Sequence, residues 1–277
     1  MTRFAACFLL VFGELAFGGM LALAVPPFFK VERGFYKSSA GVYLACALVT
    51  AVGLGLLAGR GGQTSGPGTA ALWLSAGLWT LFSATLAFYL FTLWTDNGLV
   101  RSRAYVAGLG VGLIALITNM LSLMPTGFGV SGAAVYIVTA IASAVVLGLV
   151  SGGMMFGHWY LIDPNLPVDY LRSFVRLLRA SLIGDLAALG IALAGLGAAS
   201  GAGAGAVRNL LDFDPLLLSA RILLGPVATM ILAWMTWKTL EVPQTMAATG
   251  LLYIAVMAAL VGEMLGRFIL FRTAVPL

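Results

Sequence analysis

Charge is what this chain has least of: Asp, Glu, Lys and Arg make up only 9% of its 277 residues. Soluble domains carry about a quarter charged residues, so a water-soluble fold is excluded and little is left for a soluble catalytic domain. Histidine is almost absent. His158 is the single one, so a bis-histidine haem is excluded, and no His/Cys cluster is available for zinc or copper. The two cysteines, Cys7 and Cys46, stand alone in separate apolar runs with no C-x-x-C. That pattern indicates neither a redox dithiol nor a metal knuckle, and leaves buried, inert thiols. A P-loop, a dinucleotide fingerprint and a Ser/His/Asp set are all missing. So are the short alternating segments of a membrane β-barrel.

What is present is apolar length. Hydrophobic residues make up 61% of the chain and the mean hydropathy is +1.04. Unbroken apolar runs recur at about the twenty residues that a helix needs to cross a bilayer. The expectation is an all-α polytopic membrane protein, one transmembrane domain over 1–277, built as a bundle of about eight helices. The net charge of +5 then belongs to loops beside anionic lipid and gives no sign of a nucleic-acid role.

The spans are expected at about 5–29, 40–58, 70–94, 104–124, 133–160, 169–199, 215–237 and 247–270. The first, with Ala22-Leu23-Ala24 near its end, has some look of a signal peptide. Its length and Glu14 predict that it stays as a span. The stretch Arg60–Gly68 reads as a flexible turn, Pro125 stops the fourth span, and Asp169 is placed to cap the sixth. The Gly/Ala tract 201–206 and the segment 208–214 read as a loop, and Pro226 as a kink.

Basic residues set the orientation. Loops after the first, third, fifth and seventh spans hold Lys30, Arg33, Lys37, Arg101, Arg103, Arg172, Arg176, Arg179 and Lys238, against Arg3, Arg60, Arg208 and Arg272 on the other side. This predicts a bacterial inner-membrane protein with both termini in the periplasm.

Ionisable residues inside the spans are costly and mark sites. In Gly262-Glu263-Met264-Leu265-Gly266-Arg267, Glu263 and Arg267 are i,i+4 neighbours that can pair. Gly262 and Gly266 form a small-xxx-small step that admits another helix. Counting at 1.5 Å per residue from the outer ends puts Arg221 at about 9 Å, Glu263 at about 10 Å and Glu14 at about 13 Å. Thr118 and Asn119 of the fourth span come to a similar level, and Asp185 lies deeper, nearer the middle. Such a set serves either as a proton or quinone site or as a self-satisfied structural network. At the opposite interface, His158 sits beside Trp159 and Tyr160 as a hydrogen-bonded interfacial or proton-exchanging residue. Arg172, Arg176 and Arg179 share one helical face and read as an anionic-lipid anchor or a docking patch for a partner.

Three segments carry a family likeness: Val11-Phe12-Gly13-Glu14-Leu15-Ala16-Phe17-Gly18-Gly19, Arg221-Ile222-Leu223-Leu224, and Gly262-Glu263-Met264-Leu265-Gly266-Arg267-Phe268. Through them the chain resembles the membrane-anchor, quinol-binding subunit of the dimethyl sulfoxide reductase and polysulfide reductase type. The resemblance implies an anchor that holds iron–sulfur and molybdenum subunits at the membrane. It also implies electron transfer from menaquinone or ubiquinone in reduced form, with no cofactor held covalently. In that family a histidine after the second span contributes to the quinol site. The corresponding stretch here, Arg60–Pro67, has none, so no histidine role carries over.

The leading expectation is therefore a cofactor-free anchor subunit of an electron-transfer complex, at most a non-catalytic or quinol-binding part of an oxidoreductase. Glu14, Arg221, Glu263 and Arg267 would frame the quinone headgroup or relay its protons, with Asn119 as a hydrogen-bond partner. Two rivals stand beside it. One is a transporter of an ion or small polar solute, for which no internal repeat is evident. The other is a purely structural or assembly subunit in which every buried charge is paired.

Overall fold

A computed structural model describes residues 2–59, 69–123, 129–198, 202–242 and 244–277. The expected turn at Arg60–Gly68 and the expected stop at Pro125 lie outside the described residues. Eight helices are long and apolar enough to cross a membrane, and no strand forms among the described residues. The chain is an all-α polytopic membrane bundle. Its spans are α1 (Thr2–Ala22), α2 (Arg33–Gly59), α3 (Thr69–Thr92), α4 (Gly98–Leu123), α5 (Gly129–Trp159) and α6 (Val168–Ala198), followed by α8 (Pro215–Glu241) and α9 (Thr245–Thr273). Between α6 and α8 lies a short helix, α7 (Ala202–Phe213).

Several boundaries differ from the sequence expectation, each for a local reason. α1 ends at Ala22 rather than Phe29, because the chain must leave the helix before Pro26-Pro27. α2 begins at Arg33 and α4 at Gly98, so Lys37, Arg101 and Arg103 ride on first helical turns rather than in loops. The expected loop at 201–214 is mostly the helix α7. Its Gly203, Ala206, Val207 and Leu210 recur at i, i+3, i+4 and i+7 and are buried, a stripe that outweighs the poor helix propensity of glycine. Pro226 falls in a π turn, Leu223–Val227, where Ala228 N–H reaches back five residues to Leu223 O. Proline has no N–H and crowds the preceding turn, and the wider turn accommodates it.

α1 is the central strut, packing against α2, α4, α5 and α9. Its contact with α5 is backbone to backbone. A Cβ on Gly18 would collide with Ala144 O, and one on Gly148 with Gly18 O. Only glycine allows this approach, the small-residue packing that membrane helices use.

Two sets of contacts fix which helix ends lie together. Arg33 pairs with Asp96 at 2.8 Å, Gly34 packs on Trp159 and Gly157 on Thr249, and Arg172 donates to Leu240 O at 2.7 Å. These gather the basic ends of α2, α4, α5, α6, α8 and α9. At the opposite end, Tyr136 donates to Ala274 O at 2.7 Å and Arg272 pairs with Asp214 at 2.6 Å.

Candidate functional site

Five charged side chains from four helices form one continuous chain inside the bundle. Glu14 of α1 lies 2.8 Å from Arg267 Nη2, and Arg267 Nε donates to its other oxygen at 3.3 Å. Arg267 also reaches Glu263 at 3.4 Å and donates to Ser143 Oγ of α5 at 2.8 Å. Glu263 in turn accepts from Arg221 Nη2 of α8 at 2.7 Å. Arg221 Nη2 ends the chain 3.7 Å from Asp185 Oδ2 of α6. Asp185 is the most exposed of the five, at 5%.

The expected i,i+4 pair thus forms, but it is the looser contact. Glu263 and Arg267 each take a closer partner on another helix. This follows from burial: a desolvated ion survives only when surrounded by complementary groups, and one helical neighbour supplies a single contact.

The Gly262-x-x-x-Gly266 step has a definite occupant. A Cβ on Gly262 would strike Gly225 Cα in the π turn, so α8 and α9 touch through their backbones there. The Arg221 guanidinium runs through the same slot. Its Nη1 lies against Gly225, and its Nε lies 2.7 Å from where a Gly266 Cβ would stand. Glycine at these positions makes room for a large cation in a packed interior.

Asp185 was expected at a different depth, yet it joins the cluster. α6 has 31 residues, about 46 Å at 1.5 Å each against a hydrocarbon core of about 30 Å. Counting from its end therefore misplaces the residue. Ser143, also missed, carries no sequence signal beyond a hydroxyl in an apolar helix. Asn119, expected as a hydrogen-bond partner, stands apart from the ion-pair chain. It is buried, and neither amide atom has a hydrogen-bond partner among the described residues. Leu116 and Met120, beside it on α4, pack with Leu10, Phe17, Ala144 and Leu270, neighbours in sequence of the charged cluster.

Three carboxylates face two guanidiniums, which leaves one acidic group in excess. Two guanidinium nitrogens, Arg221 Nε and Arg267 Nη1, have no hydrogen-bond partner among the described residues. Unused buried donors of this kind mark places where water or a ligand oxygen fits.

A cleft of about 340 Å³ runs between α1 and α9, two of the helices that carry the cluster. Phe4 and Cys7 line it from α1, and Leu260, Val261, Met264 and Phe268 from α9. Phe4, Cys7 and Glu14 share a stripe of α1, with Glu14 about 10 Å beyond Cys7 along the axis. Met264 and Phe268 each follow a cluster residue directly. The cleft and the charges therefore occupy neighbouring faces of the same two helices.

The residues at the other end lie apart from this cluster. His158 Nδ1 is 3.3 Å from Tyr253 Oη at an exposed position. Arg172 pairs with Asp169 at 2.9 Å, while Arg176 and Arg179 lie 5.8 and 5.5 Å over the Trp237 ring. These arginines help fasten α6 to α8. Among the described residues, no group of three or more His, Cys, Asp and Glu is placed to hold a metal ion. No protein-family model matches the sequence, and no curated protein matches it.

Proposed function

We propose that this chain is a cofactor-free membrane subunit of an electron-transfer complex that exchanges electrons and protons with a quinone. One observation carries the reading: a buried acid–base cluster has a carboxylate in excess and two guanidinium nitrogens without a hydrogen-bond partner among the described residues, and two of its helices, α1 and α9, also line an apolar cleft. A quinone is an apolar chain ending in two carbonyl oxygens. The cleft suits the chain, and Arg267 Nη1, on one of the two helices that line it, suits a carbonyl. Oxidising a quinol releases two protons, and Glu14 and Glu263, both held by Arg267, would each accept one and pass it on toward water. Electrons would pass to iron–sulfur or other redox subunits held at the membrane surface, as the resemblance to reductase anchor subunits implies. The gathered basic ends support a cytoplasmic face for Arg33, Arg103 and Arg172. With that orientation, the cluster lies toward the periplasmic half of a bacterial inner membrane.

Glu263→Gln tests the reading. It should slow quinol-dependent turnover of the assembled complex while the subunits still co-purify. Unchanged turnover would remove Glu263 from the mechanism. Gentle purification from native membranes that yields the chain alone, with no redox partner, would count against the anchor role.

A specific observation also favours the structural reading. Each of the five charges lies within 4 Å of an opposite one, and the glycine slot shapes the bundle around Arg221. Full activity in a Glu263→Gln/Arg267→Gln double variant would establish that role and exclude the first.

A further inference from the structure

At the basic end of the bundle, most cations already have partners. Arg33 is paired with Asp96, Arg101 donates to Thr95 O at 2.9 Å, and Lys37 sits 4.4 Å above Trp94. Arg103, like Lys30 in the loop before α2, has no such partner among the described residues, and of the two Arg103 alone lines a groove. It is exposed and makes no ion pair or hydrogen bond with a described residue. It stands on the wall of a groove of about 260 Å³ between α3 and α4, lined otherwise by Thr85, Phe88, Val100, Ala104 and Ala107.

The Thr85 hydroxyl is turned to Phe82 O at 2.8 Å, so beyond the guanidinium the groove wall is apolar. From Val100 to Ala107 it runs about 10 Å along α4, away from the basic end. A long arginine stem lets the charged head rise toward the headgroup layer while its methylenes stay in the groove. The groove therefore offers one cation at headgroup level and, below it, a furrow with nothing to hold a polar solute.

We propose that this groove binds one anionic phospholipid, with its phosphate on Arg103 and an acyl chain along Phe88, Ala104 and Ala107. Charge complementarity selects the occupant. Asp96, the nearby carboxylate, is already engaged by Arg33, and an anionic headgroup supplies the counterion that Arg103 lacks. A free phosphate would leave the furrow empty, and a zwitterionic lipid would bring its own cation to the same place. The site is independent of the quinone reading.

Native mass spectrometry on the delipidated full-length chain tests it, titrating phosphatidylglycerol, phosphatidylcholine of the same acyl chains, and inorganic phosphate. The chain should retain one phosphatidylglycerol in preference to phosphatidylcholine by about fivefold, the factor that one basic residue supplies at an anionic surface. Arg103→Ala should abolish the preference. Ala107→Phe, which fills the furrow but keeps the cation, should weaken retention of both lipids. Lys30→Ala, on the same face but off the groove, should change nothing. Equal retention of the two lipids, a preference that survives Arg103→Ala, or phosphate binding as tight as the lipid would each overturn the proposal.

Discussion

Arg267 holds Glu14 through two contacts, at 2.8 and 3.3 Å, although 253 residues separate them in sequence. The pair joins the first span to the last, so Glu14 lacks its guanidinium until α9 has packed. Both residues are fully buried, and the same guanidinium also engages Glu263 and Ser143. Arg267 is therefore the hub on which α1, α5 and α9 converge.

The imbalance of three acids to two bases makes the cost of neutral substitutions unequal. Arg267→Met would leave three carboxylates facing Arg221 alone, and should destabilise the bundle by about 3–5 kcal/mol, as expected for an orphaned buried charge. Glu14→Gln removes an acid from the side in excess and keeps a hydrogen-bonding group, so it should cost clearly less. Denaturant or thermal unfolding in detergent compares them directly. Equal losses would mean that the cluster is not governed by its charge count.

Two glycines of α9, Gly262 and Gly250, should respond differently to the same change. Gly262→Ala drives a Cβ into the backbone of the π turn at Gly225, with no flexible side chain to yield. It should separate α8 from α9 and lower the unfolding midpoint sharply. Gly250→Ala meets nothing within 4 Å and should be neutral, or stabilising by up to about 1 kcal/mol from helix propensity. Matched effects at the two positions would show that propensity, rather than close packing, sets the outcome.

The architecture was legible because hydropathy has no rival signal in a chain so poor in charge. Eight spans follow from it, and proline and basic clusters place most ends within a few residues. Errors arose where a local rule met a tertiary demand. Glycine made 201–214 look like a loop, although its apolar stripe at Gly203, Ala206, Val207 and Leu210 was readable. Depth counting brought Glu14, Arg221, Glu263 and Arg267 together correctly, because each lies within a few turns of a well-defined end. It failed for Asp185 because that residue lies near the middle of a 31-residue helix, far from either end. Asn119 is buried as its depth implies but makes no hydrogen bond to the charges among the described residues, since depth fixes a level and says nothing of rotation about the helix axis.

On the proposed quinone reading, the cleft between α1 and α9 allows binding to be tested apart from chemistry. Val261 is 42% exposed on its wall, away from the face that carries Glu263 and Arg267. Val261→Trp should fill the space that a quinone chain would occupy without touching a charged residue. In the assembled complex it should raise the apparent KM for quinol several-fold and leave kcat near its original value, the pattern of lost ground-state binding. Glu263→Gln should instead lower kcat, because it removes a proton acceptor rather than a binding surface. A Val261→Trp complex with unaltered KM would place the quinone elsewhere. A Glu263→Gln complex altered only in KM would make that carboxylate a binding group.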